Sequence, residues 1–148
     1  MTTTKQLVAE AIGTFFLCFA GIGAIVSTSE PISSGAGLVG IALAHGLALS
    51  IAVSIFAGIS GSHFNPAVTI GLLSTGRIAP PLALLYIGAQ LVGATLAAAA
   101  CNVIFPTDAV NAAQLGIPLP ADWVTVPVLL LTEFILTFLE PIRILASS

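Results

Sequence analysis

The feature that most restricts this chain is a helix that is too short for its surroundings. From Pro31 to Gly76 no side chain is charged. Within that run Asn65-Pro66 reads as a helix start, with Asn65 as N-cap and Pro66 in the first turn, where a missing N–H costs nothing. The helix it opens runs for ten residues, Pro66 to Thr75, before Gly76-Arg77. At the rise of an α-helix that is about 15 Å, half of a hydrocarbon core about 30 Å thick. Gly61, Ser62 and His63, which precede it, are poor helix formers. A second full crossing would need about 20 apolar residues. The reading that fits is a re-entrant segment, in which an extended stretch dips to mid-bilayer and a half-helix returns to the face it left. Irregular backbone survives at that depth only beside protein or a water-filled cavity.

Composition places the segment in a membrane. Of the 148 residues 57% are hydrophobic and only 6% charged, with a mean hydropathy of +1.15. Soluble domains carry about 25% charged residues. The segment Leu7–Val26 is too long for the core of a signal peptide and is interrupted by Glu10, so it reads as a span. No basic patch points to nucleic acid. Cys18 and Cys101 lie in apolar segments without metal-ligand spacing and read as packing residues. Neither HExxH nor Gly-x-Ser-x-Gly occurs, which leaves no motif for metalloprotease or hydrolase chemistry. The expectation is no enzyme, no cofactor and no metal.

In chain order the spans fall at about 6–27, 37–58 and 81–104, with the re-entrant stretch at 60–75. A polar loop follows at 105–123, and a partial fourth span at 124–139. Ala42, Gly46, Ser50, Ser54 and Gly58 form a ridge of small side chains on span two. Ala89, Gly93, Ala97 and Cys101 form another on span three; such ridges let helices approach closely in lipid. Thr132-Glu133-Phe134-Ile135-Leu136-Thr137-Phe138 repeats the Glu, Ile, Thr and Phe of Ala9-Glu10-Ala11-Ile12-Gly13-Thr14-Phe15 in register. Three spans followed by a restart imply an inverted repeat. With the N-terminus cytoplasmic, Lys5, Arg77 and Arg143 fall inside, as the positive-inside rule asks, and Glu30, Asp108 and Asp122 fall outside.

Ser60-Gly61-Ser62-His63-Phe64-Asn65-Pro66-Ala67-Val68-Thr69 closely resembles the first Asn-Pro-Ala loop of the aquaporins, or major intrinsic proteins. Ala9-Glu10, Gly13-Thr14, Gln90 and Gly93-Ala94 extend the resemblance over residues 6–139. It implies an all-α membrane fold, an aquaporin-like helical bundle of which this chain holds the first inverted repeat (three spans and one half-helix) and a partial fourth span. The family's second Asn-Pro-Ala loop is absent, and Glu140-Pro141-Ile142-Arg143 departs from the expected apolar continuation. The implied activity is passive permeation of water, with ammonia or urea as further small neutral solutes, in a homotetramer in the cell membrane. The alternative is a truncated, non-conducting fragment that acts at most as an assembly partner.

The resemblance also assigns residues. Asn65, Pro66 and Ala67 form the pore motif. There the Asn65 amide would donate to a passing water, and the positive half-helix end would repel cations and protons. Gly61, Ser62 and His63 would line the pore with backbone carbonyls. His45 falls at the filter position of helix two, where tonoplast-type members also carry His. Glu10, Glu133 and Gln90 would brace the loops. A carboxylate in hydrocarbon costs at least about 2.5–3.5 kcal/mol, so Glu10 and Glu133 require partners.

Overall fold

A computed structural model describes residues 2–117, 119–120 and 123–135. These form six α-helices: α1 (Thr3–Thr28), α2 (Gly37–Ser60), α3 (Pro66–Ser74), α4 (Pro80–Ile104), the short α5 (Thr107–Ala112), and α6 (Val126–Ile135). A 3₁₀ turn at Gln114–Gly116 follows α5. Only α1, α2 and α4 are long and apolar enough to cross a membrane among the described residues. The fourth span expected at 124–139 is represented by α6; residues 136–139 lie outside the described residues, as do Asp122, Glu140 and Arg143.

Side-chain contacts fix the directions of the helices. Glu10 of α1 bonds Ser60 at the end of α2, while Gly21 lies against His45 earlier in α2, so these two helices are antiparallel. Glu10 also bonds Gln90, Gly93 abuts Ala11, and Cys101 lies near the Phe19 carbonyl, so α1 and α4 are parallel. The end of α2 and the start of α4 therefore share the end of the bundle where α1 begins. The intervening segment, 61–79, leaves that end and returns to it. At its tip the Phe64 ring covers Gly13, ten residues into α1, or about 15 Å from its start.

Packing is graded by size. α1 sits between α2 and α4, and α3 lies on α4. The buried positions in these seams are mostly small: Ala9, Gly13 and Gly21 of α1, Ala48 and Ala52 of α2, Gly93 and Ala97 of α4. Large residues such as Leu43, Leu47, Ile51, Ile55, Leu91 and Leu96 face outward. This is the arrangement expected where lipid is as apolar as the side chains and close backbone approach provides the attraction. The small ridge of α4 faces α1: a Cβ on Gly93 would overlap the Ala11 carbonyl oxygen. The ridge of α2 does not. Ala42, Gly46, Ser50, Ser54 and Gly58 are exposed, because α2 meets α1 through Ala48 and Ala52.

The loop at 105–117 is folded down rather than extended. Ala109 and Val110 of α5 bury against Val26, with Ile22, Phe105 and Leu115 around them. Glu30 and Asp108 are exposed at this end of the bundle, and Lys5 and Arg77 are exposed at the opposite end.

The α1–α4 seam generates a prediction. In Gly93→Val the branched side chain must push α4 off the α1 backbone, at a cost of about 1–3 kcal/mol by analogy with overpacked cores. Thermal unfolding in detergent followed by far-ultraviolet circular dichroism should show the loss, whereas Gly88→Val, at an open position, should unfold near the parent.

Candidate functional site

The segment between α2 and α3 is built from strained backbone. Gly61 ends α2 in the left-handed region (φ 84°), its N–H bonding the Ala57 carbonyl. Glycine adopts this conformation without steric cost. Ser62 (φ 54°) and Phe64 (φ 48°) adopt it as well, at about 1–2 kcal/mol each for an L-residue. Something outside the segment must offset that.

Glu10 supplies it. Its side chain is fully buried and accepts four hydrogen bonds. Ser60 Oγ donates to Oε1 at 2.5 Å, and the His63 N–H donates to the same oxygen at 3.1 Å. The Phe64 N–H and Gln90 Nε2 each donate to Oε2 at 2.8 Å. Two donors on each oxygen fill the acceptor capacity of a carboxylate. They tie the end of α2, two peptide groups of the loop and the middle of α4 to one point on α1. A carboxylate left without them in apolar surroundings would be severely destabilising.

A second layer locks the loop side chains. Gln90 Nε2 also donates to Thr69 Oγ1 at 3.0 Å, and His63 Nδ1 lies 3.0 Å from the same oxygen. Thr69 Oγ1 reaches the Asn65 carbonyl at 3.2 Å. The Tyr86 hydroxyl donates to the Ser60 carbonyl at 2.8 Å, and its ring meets His63 edge-to-face at 5.0 Å. The Phe64 ring occupies the space that a Gly13 side chain would fill and packs edge-to-face on Phe56.

Asn65 then starts α3. Its Oδ1 accepts the Ala67 N–H at 2.9 Å, which turns the carbonyl side of the amide toward the helix and the NH₂ side away from it. Asn65, Pro66 and Ala67 are half-buried at the tip; Gly61 is exposed, and the side chains of Ser62 and His63 are buried. The sequence-derived residues Glu10, Gln90, His63 and Asn65 thus converge on one network.

His45 stands apart. It is exposed, lies over Gly21, and its Nδ1 donates to the Ile41 carbonyl at 2.9 Å. Gly21 is eight residues beyond Gly13, or about 12 Å further along α1. Glu133 is exposed on α6 and is not brought to this network. Sequence reasoning quoted Ser60, Thr69 and Gly13 in the stretches that carry the resemblance but gave them no role, and it missed Tyr86 and Gly21. Tyr86, the sole tyrosine and one helical turn before Gln90, carried a signal that could have found it.

The site is thus an Asn-capped short helix held at depth by a buried carboxylate. The sequence profile of the major intrinsic proteins matches residues 1–148, and the chain belongs to that family. Among its relatives, Aquaporin TIP2-1 of Zea mays is 47% identical over 100 residues, which cover 65% of this chain and 40% of that protein. Aquaporin TIP4-4 of Zea mays is 39% identical over 140 residues, covering 90% of this chain and 53% of the relative. Aquaporin Z of Photorhabdus laumondii is 44% identical over 100 residues, covering 68% and 43%. The chain spans about half the length of the relatives it matches, and it is an integral membrane protein.

Replacing Glu10 by Ala strands the His63 and Phe64 N–H groups, each at about 1–3 kcal/mol. Glu10→Ala should therefore lose more stability than Ser60→Ala, which removes one of the four donors to the carboxylate and strands the Ser62 N–H that Ser60 Oγ accepts. Paired thermal melts in one detergent check the order.

Proposed function

We propose that this chain forms wall and pore-loop elements of a passive channel for water. The observation that carries the reading is the segment 61–79. It enters and leaves at one end of the bundle and presents the N-terminus of α3 some ten residues deep along α1. A helix N-terminus carries roughly half a positive charge. Placed beside a water file, it disfavours cations and hydronium, and the family resemblance assigns the Asn65 amide as a donor to a water oxygen. A water held by its oxygen cannot relay a proton along the file. The relatives' printed names support the same reading.

Further assignments follow from the resemblance. Backbone carbonyls at Gly61, Ser62 and His63 line the path, and Glu10 and Gln90 hold them; Glu133 is the matching brace of a second repeat. His45, about 12 Å from the tip, is a second constriction and favours water with ammonia and urea over bulkier solutes. Lys5 and Arg77 share one end of the bundle, which by the positive-inside rule is cytoplasmic. The membrane is the cell membrane, and the assembly is a homotetramer.

A second reading is favoured by the half-helix itself. The described residues hold one such half-helix, and one walls one side of a passage. On that reading it conducts only when a complementary half completes the pore, and otherwise acts as an assembly partner.

Stopped-flow osmotic shrinkage of proteoliposomes containing only this chain separates the two. Permeability well above bare lipid supports conduction by this chain; the bare-lipid value supports the half-pore. In whichever assembly conducts, Asn65→Asp should raise proton or cation leak while water flux persists. Unchanged leak at normal flux would count against the role given to Asn65.

A further inference from the structure

We infer that Gly21 is a positioning residue for His45: its missing side chain is a notch that holds the imidazole back against α1 and keeps the passage beside it open. The inference rests on the reading of His45 as a wall residue. Gly21 is buried, and a Cβ there would overlap Nε2 of His45 and stand 2.8 Å from both Cδ2 and Cε1. The atoms in the way are the far end of an exposed side chain, so the imidazole is what gives way.

The other side of the ring is fixed too. Nδ1 lies 2.9 Å from the Ile41 carbonyl, one turn back on α2. A carbonyl only accepts, so Nδ1 carries the hydrogen. In a neutral ring Nε2 is then an acceptor, and it faces the α-carbon of Gly21, where only a weak C–H contact is on offer. Both nitrogens are turned to protein, so in this placement neither is turned to a passing solute. A side chain at 21 drives the ring out. It then narrows the passage and presents a hydrogen-bonding nitrogen to the solute. Gly21 thus controls both the width and the polarity that His45 confers.

Two readouts test this on the reconstituted chain. With ¹⁵N-labelled histidine, nuclear magnetic resonance should show the Nδ1–H tautomer for His45. There are two histidines, so His45→Ala assigns the signals. In Gly21→Ala the His45 signals should move to the Nε2–H form usual for a released imidazole. An unchanged Nδ1–H signature in Gly21→Ala overturns the inference. Osmotic permeability should fall several-fold in Gly21→Ala, while Gly21→Ala/His45→Ala should match His45→Ala alone. An equal fall on both backgrounds would mean that Gly21 is merely structural, which also overturns it. If vesicles of the parent chain are no more permeable than bare lipid, the channel reading fails for this chain alone. The tautomer comparison then decides the Gly21–His45 contact by itself.

Discussion

One buried carboxylate holds three helices and a loop in register. Glu10 lies where an ion is expensive, and its cost is met only when Ser60, His63, Phe64 and Gln90 all donate to it. Those four donors come from α2, the loop and α4. Apart from this carboxylate, the side-chain tie between α2 and α4 is the Tyr86 hydroxyl on the Ser60 carbonyl. Their relative placement is set mainly through α1 and through this charge. The strained turns at Ser62 and Phe64 follow from it, since both flank peptide groups that the carboxylate captures. The direction of α3 follows in turn, because Asn65 comes immediately after the captured Phe64.

The rest of the packing makes room for that arrangement. Two glycines of α1 stand where a ring must lie against it: Gly13 for Phe64 and Gly21 for the imidazole of His45. Gly93 does the same from α4, letting backbone meet backbone. Interior volume in a lipid-embedded bundle is set less by fitting large side chains together than by omitting them. The size gradient from small inside to large outside is the general form of the same rule.

Much of this was legible in the chain itself. Asn65-Pro66 marked the start of α3 because N-cap chemistry is local, and the apolar runs marked α1, α2 and α4 because length and charge decide insertion. Boundaries were less legible. α2 continues past Gly58 to Ser60, since a glycine in a helix does not stop it and the left-handed Gly61 does. α3 stops at Ser74 with Thr75 as its cap. The left-handed Ser62 and Phe64 could not be read at all, because a tertiary partner imposes a conformation that their side chains disfavour. The outward orientation of the α2 ridge was also hidden. A four-residue repeat shows which face is small, not which neighbour it meets.

The order of synthesis gives the Glu10 network another meaning. Its serine partner is made 50 residues later and its glutamine partner 80 residues later. The first helix therefore enters the bilayer with its carboxylate unmatched, bearing an insertion penalty on the order of 2.5–3.5 kcal/mol that nothing nearby relieves. Only when the third crossing arrives is the charge fully enclosed. Nascent chains that stall before α4 would keep an unsatisfied acid within reach of lipid, a mark by which quality control could tell an unfinished bundle from a finished one.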